Sequence, residues 1–241
     1  MPSLVGSEMC IRDSTRLLCL ENTWNGHPMP ESYLQQASAL AREKGLAVHL
    51  DGARLFNAAV ASRQDGETAL ASARRITSHF DSVSVCFSKG LGAPVGSMLC
   101  GSKALIARAH RIRKMAGGGM RQVGLLAAAA DYALDHHLER LADDHALAQR
   151  LARGLEGVVG LSVRSAQTNI VFVDVADGRG PDLLAHLKAH NVLATGLIGL
   201  RFVTHLDVDA AGIDHALSCI RAFFAQPATA AAPVARGAAV Y

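Results

Sequence analysis

Aromatic residues make up only 5% of this 241-residue chain. A nucleic-acid surface usually interleaves stacking rings with Lys and Arg, so their scarcity argues against one. The formal net charge of +3 comes from scattered residues rather than blocks. The densest basic stretch, Arg108-Ala-His-Arg-Ile-Arg-Lys114, reads as a solvated helix face or a subunit contact. Cysteine is sparse as well. Cys10, Cys19, Cys86, Cys100 and Cys219 contain no CxxC pair and have no His at zinc spacing. An odd, unpaired set favours reduced thiols, and Cys86 and Cys100, lying in apolar runs, read as small core residues. No apolar run is long and charge-free enough to span a bilayer, and the first residues lack the basic-then-apolar order of a secretory signal. Together these absences predict a cytoplasmic protein with no membrane and no nucleic-acid partner. What the chain does have is apolar content: 50% of its residues, enough for a substantial core.

Short apolar runs alternate with helical patterns through the first half. Leu17–Leu20, Leu46–Leu50, Ser82–Phe87 and Gly96–Cys100 read as strands, and Tyr33–Lys44 as a helix that stops at Gly45. The alternation predicts an α/β layer with a mostly parallel sheet. From Lys103 to about Leu155 the pattern is helical, broken at Gly117-Gly-Gly119, and the Ala- and Leu-rich Gln122–Leu134 predicts a helix packed closely in the core. His136, His137 and His145 lie there among charged neighbours and are expected to be solvated. Beyond Leu161, strands at Asn169–Asp174 and Leu200–Thr204 alternate with helices at Asp182–His190 and Asp209–Phe224, predicting a small α+β unit. The expected division is a non-native leader (1–14), a partial large domain (15–135), a connecting helix with a small C-terminal domain (136–225), and an Ala/Pro-rich disordered tail (226–241).

Three polar residues follow strand ends: Asp51, Arg54 and Lys89. In open α/β sheets ligands bind beyond the carboxyl ends of the strands. A pyridoxal-5′-phosphate (PLP) site requires a lysine for the Schiff base and a carboxylate facing the pyridine nitrogen. Asp51 and Lys89 supply that pair from successive strands, with Gly90, Gly92 and Gly96 allowing close backbone approach. An Asp-Gly or Ser-Lys-Gly after a strand is equally a turn, so the residues alone leave both readings open.

Five ordered blocks narrow the choice. His49-Leu-Asp-Gly-Ala-Arg-Leu-Phe-Asn-Ala58 and Ser88-Lys-Gly-Leu-Gly-Ala-Pro-Val-Gly-Ser97 resemble the aspartate and Schiff-base lysine segments of low-specificity threonine aldolases. Glu21-Asn-Thr-Trp-Asn-Gly26, Arg113-Lys-Met-Ala-Gly-Gly-Gly-Met-Arg-Gln122 and Leu200-Arg-Phe-Val-Thr-His-Leu-Asp207 are similar to three more. The resemblance implies a PLP-dependent transferase-like (fold type I) large domain, incomplete at the N-terminus, and a small α+β C-terminal domain. It implies retro-aldol cleavage of L-threonine or L-allo-threonine to glycine and an aldehyde. By it, Lys89 holds PLP, Asp51 pairs with the ring nitrogen, and Arg54 and Arg201 clamp the substrate carboxylate. Arg121, with Lys114 nearby, reaches the cofactor phosphate across a subunit interface, so the intact enzyme is expected to be a homodimer or homotetramer.

The chain departs from the resemblance in three places. The family's phosphate-cradling segment has no counterpart upstream of Leu17, so an N-terminally truncated, impaired or inactive enzyme is expected. Trp24 stands where the family block has His, and the additional residues Ser62–Ala71 read as a longer surface loop. Two alternatives stay open: a PLP-dependent β-eliminating lyase, and a noncatalytic dimerising fragment.

Overall fold

The computed structural model describes residues 15–196 and 199–226. The expected leader at 1–14, and the expected tail apart from Gln226, lie outside the described residues. The first sheet has the order β1 (Leu17–Glu21), β2 (Ala47–Gly52), β3 (Ser82–Cys86), β4 (Ser97–Gly101). The first three strands are parallel and β4 is antiparallel to β3. Parallel neighbours need long crossovers. Here they are α1 (Glu31–Glu43) between β1 and β2, and the pair α2 (Leu55–Ala61) and α3 (Ala69–Thr77) between β2 and β3. Three helices then follow: α4 (Lys103–Met115), α5 (Gly124–His136) and α6 (Leu141–Leu155). The second sheet is antiparallel, ordered β5 (Leu161–Ala166), β6 (Ile170–Val175), β7 (Leu200–Val203), with α7 (Gly180–Ala189) and α8 (Ala210–Ala225).

Two apolar cores result. Leu34, Leu50, Leu55, Val83, Val85 and Ile76 pack between the first sheet and α1 to α3. Val171, Val173, Leu183, Leu187, Phe202 and Ile220 fill the second. Helix α6 joins them, since Leu141 belongs to the first core while Ala148, Leu151 and Leu155 belong to the second. Side-chain caps fix helix starts where the sequence offers Ser, Thr or Asp: Thr68 accepts from the Ala71 amide at 3.1 Å and Asp209 from the Gly212 amide at 2.7 Å.

Four expectations need correction. Ser62–Ala71 is not wholly a loop: Ala69 begins α3 and is fully buried. The segment is tied down by Arg75, which donates to Glu67 at 2.8 Å, to the Ser62 carbonyl at 2.8 Å and to Glu31 of α1. Helix α5 is not closely packed, for only Ala130 and Ala133 are buried and Leu125 is 84% exposed. Cys100 is exposed and Cys86 only half-buried, because every residue of β4 is exposed. His145 is not solvated; it lies half-buried on α6 against Asn57. The second and third errors share a cause: composition reports that a segment is apolar, not whether a neighbour covers it.

Gly52, the last residue of β2, shows how tightly the strand ends approach. A Cβ there would lie 2.7 Å from the Ser84 carbonyl oxygen of β3. Gly52→Ala is expected to destabilise the chain by about 2 kcal/mol through overpacking, whereas Gly124→Ala, with open space around it, is expected to be neutral or slightly stabilising. Urea unfolding of both variants checks this; equal midpoints would contradict the close approach.

Candidate active site

Because β1, β2 and β3 run parallel, their C-terminal ends emerge at one edge of the sheet. Glu21 lies opposite Asp51, and Asp51 opposite Ser84. The Asp51 carbonyl accepts from the Asn22 amide at 2.9 Å, and its carboxylate accepts from the Ala53 amide at 3.0 Å. That second bond turns the chain into α2, whose N-terminal boundary residue is Arg54. After β3 the backbone makes a closed loop. The Phe87 amide donates to Gly96 at 3.0 Å, the Ala93 amide to Phe87 at 3.0 Å, and the Gly92 amide to Lys89 at 2.9 Å. Gly92 (φ +73°) and Gly96 (φ +122°) occupy the backbone region this loop needs. Lys89 stands exposed at its tip.

The second sheet contributes Arg201. It sits within β7 opposite Phe172 of β6, and its backbone exchanges hydrogen bonds with Thr195 at 2.8 and 3.1 Å. Its Nε is buried with no hydrogen-bond partner among the described residues. Arg54 is half-buried, and its pKa falls below the usual guanidinium value, first through loss of solvent and next through repulsion by Arg201. Glu21, Cys86 and Asp51 offset part of this from nearby. Cys86 in turn feels Lys89; burial pushes its thiol up, but hydrogen bonds from Ser88 and Ser97 and the Lys89 charge bring it below the usual value overall. Charges that far apart in sequence therefore converge on one place. Ion pairs among the described residues engage Arg63, Arg75, Arg140, Arg150 and Arg164, but neither Arg54 nor Arg201. Two partly desolvated guanidiniums that repel each other, with no carboxylate paired to either among the described residues, make a donor set that a small anion would satisfy.

Residues 4–178 match the family described as beta-eliminating lyase. The chain belongs to that family. Among this beta-eliminating lyase family chain's relatives, a low specificity L-threonine aldolase of Escherichia coli K12 is 45% identical over 212 residues, covering 88% of this chain and 61% of that protein. Low-specificity L-threonine aldolase 1 of Arabidopsis thaliana is 39% identical over 220 residues, covering 86% and 59%. The chain thus spans about three-fifths of the length of the curated relatives it matches. A threonine aldolase structure from Leishmania major superposes with a TM-score of 0.68 at 21% identity, covering 87% of this chain and 61% of that one. A Sphingomonas wittichii serine palmitoyltransferase gives 0.65 at 17% identity, covering 87% and 55%. The fold is that of the fold type I PLP-dependent enzymes, as the sequence reading expects.

Of the residues singled out in this beta-eliminating lyase family chain, Asp51, Arg54, Lys89 and Arg201 are brought to the strand ends. Lys114, on α4, and Arg121, in the loop before α5, are exposed, and neither is among the charges acting on Arg54. Sequence reasoning missed Asn57, Asn169, Thr204 and His145, which hydrogen-bond beneath the cluster. Asn57 and Asn169 are each 3% exposed. Isolated amides carry no periodic signal; the one available hint was two Asn residues inside otherwise apolar stretches.

The family implies PLP. The donor set fits such a group: a lysine and a carboxylate at the ends of neighbouring parallel strands, beside an orphaned buried guanidinium Nε.

Burial, then the Arg63 charge, lowers the His145 pKa from 6.5 to about 4. The unfolded chain takes up this proton near pH 6.5 while the folded chain resists until about 4. His145 therefore stabilises the fold fully above about pH 6.5, and that contribution is lost as pH falls toward 4, by up to roughly 3 kcal/mol. His145→Gln is expected to flatten this part of the stability profile. Urea unfolding at about pH 7, 5.5 and 4.5 measures it; an unchanged slope would show that His145 is not buried neutral.

Proposed function

We propose that this chain carries the lysine and carboxylate-clamp side of a PLP-dependent enzyme that cleaves L-threonine or L-allo-threonine to glycine and acetaldehyde. The observation that carries the reading is the convergence of Arg54 and Arg201 from the two sheets beside Asp51 and Lys89. The names of the Escherichia coli and Arabidopsis thaliana relatives support aldol cleavage over elimination.

Lys89 would hold the cofactor through Nζ and, once displaced by the substrate amine, would be able to move a proton there. Asp51 holds the proton on the pyridine nitrogen; its carboxylate already accepts from the Ala53 amide, which fixes its orientation. When bound, PLP supplies an electron sink for the charge left on the α-carbon of the amino acid. Arg54 and Arg201 bind the substrate carboxylate through their forked donors. This relieves their mutual repulsion and gives the buried Arg201 Nε a partner. Arg121, with Lys114, reaches the cofactor phosphate from a second subunit. Their exposure supports that placement, as do the exposed apolar side chains of α4 and α5, including Ile112, Met115 and Leu125. The assembly is a homodimer or homotetramer in the cytoplasm. Among the described residues no helix is long and apolar enough to cross a membrane.

Borohydride reduction in the presence of PLP, followed by peptide mass spectrometry, tests the cofactor lysine. A pyridoxyl label concentrated on Lys89, and lost in Lys89→Ala, is the expected result; a label spread over surface lysines would contradict it. With L-threonine, whatever turnover occurs is expected to give glycine and acetaldehyde. Ammonia with a keto acid would assign the chain to elimination instead. Arg201→Ala is expected to weaken amino-acid binding about 10- to 100-fold, the worth of one charge-assisted contact.

A further inference from the structure

Asn57 is a residue the reaction does not use, yet its side chain lies against the lysine loop and, through Asn169, is linked to the end of β7. It lies in the first turn of α2, three residues after Arg54, and is 3% exposed. Its Nδ2 donates to Asn169 Oδ1 at 3.3 Å and to His145 Nε2 at 3.2 Å, which uses both amide hydrogens. A Cβ on Gly90, the residue after Lys89, would lie 3.0 Å from Asn57 Oδ1, so the lysine loop packs directly on the amide. Asn169 passes the connection on: its Nδ2 donates to the Thr204 carbonyl at 2.8 Å, and the Thr204 amide donates to the Asn169 carbonyl at 2.9 Å. Thr204 directly follows β7, which holds Arg201, and its hydroxyl donates to the Asp144 carbonyl of α6 at 2.6 Å.

This arrangement answers a physical question the site raises. Arg54 and Arg201 repel each other, and the sheets that carry them share no strand. Something other than their own attraction must hold them together before an anion arrives. A buried polar bridge is suited to that task, since a shift that separates its members leaves several polar groups unpaired.

We propose that Asn57 is a positioning residue: through Asn169 and Thr204 it sets the spacing of Arg54 and Arg201, and so the affinity of the site for a carboxylate. The inference rests on the carboxylate-clamp reading of those two arginines. His145 accepts from Asn57 and orients the amide, while its own neighbour Arg63 acts on it from the loop after α2. Of the charged groups at the start of α6, Asp144 pairs with Arg140 just before the helix, and Glu139, also before it, pairs with Arg63 at 2.6 Å.

The test needs no bound cofactor. Acetate, whose one handle is a carboxylate, is titrated into the chain while the side-chain Nε–H signals of Arg54 and Arg201 are followed by NMR. Asn57→Ala is expected to raise the acetate Kd about tenfold and to speed solvent exchange of the buried Arg201 Nε–H. Combined with Arg54→Ala, it is expected to add nothing further, the signature of a residue acting through its neighbour. Arg75→Ala, which loosens α3 away from the site, controls for general loss of stability and is expected to leave both readouts unchanged. Should Asn57→Ala not fold, Asn57→Ser keeps a polar side chain too short to span both partners and is read in the same way. If Arg54→Ala and Arg201→Ala weaken acetate while neither Asn57 variant does, the positioning role is overturned and the clamp stands. If the arginine variants leave acetate binding unchanged, the clamp itself is overturned, and the positioning role with it.

Discussion

Parallel pairing of β1, β2 and β3 is the constraint on which the rest depends. Strands that run the same way release their chains at the same edge, so residues separated by tens of positions come to lie side by side there. Glu21, Asp51 and Cys86 are the polar groups at those three ends, and Lys89 follows on a short closed loop. The return helices do more than close the crossovers. Helix α2 starts within two residues of β2, which places Arg54 at the sheet edge and Asn57 one turn below it. Helix α6 contributes to both cores, which brings the second sheet, and with it Arg201, against the first.

The site is electrostatically unfinished. Arg54, partly desolvated, faces Arg201, whose Nε finds no acceptor among the described residues, and this costs stability that packing elsewhere must offset. Surface arginines of the same chain show the contrast: Arg150 is held by Asp214 and Arg164 by Asp174, both exposed pairs of small energetic consequence. Orphaned buried polar atoms are not confined to this place, since Arg63, Arg140 and Asp144 carry them too. The buried amide bridge beneath the arginines explains how the strain is borne without the two sheets drifting apart.

Much of this was legible in the sequence because parallel, half-buried strands are written as short apolar runs, and the polar residue that ends each run is conspicuous. Asp51 and Lys89 stand out for that reason. Arg201 was named only through the resemblance of its block, Leu200–Asp207. What escaped was everything that depends on which surface faces which. Asn57 and Asn169 sit 112 positions apart, and no local pattern couples them. His145 has the charged neighbours of a solvated helix, yet points toward Asn57. The Ala-rich α5 reads as core but is open along most of its length, and β4, apolar in composition, is exposed at every residue. Periodicity reports what an element is built to bury, and burial itself is settled by its neighbours.

The central claim is that Asp51 and Lys89 form one cofactor site at adjacent strand ends. Its most direct measurement is the nitrogen-15 NMR shift of ring-labelled PLP bound to this chain and to Asp51→Asn. The account predicts a protonated pyridine nitrogen in the unaltered chain and an unprotonated one in the variant. An unprotonated nitrogen in the unaltered chain, or the same shift in both, would contradict it and return Asp51 to the status of a turn residue.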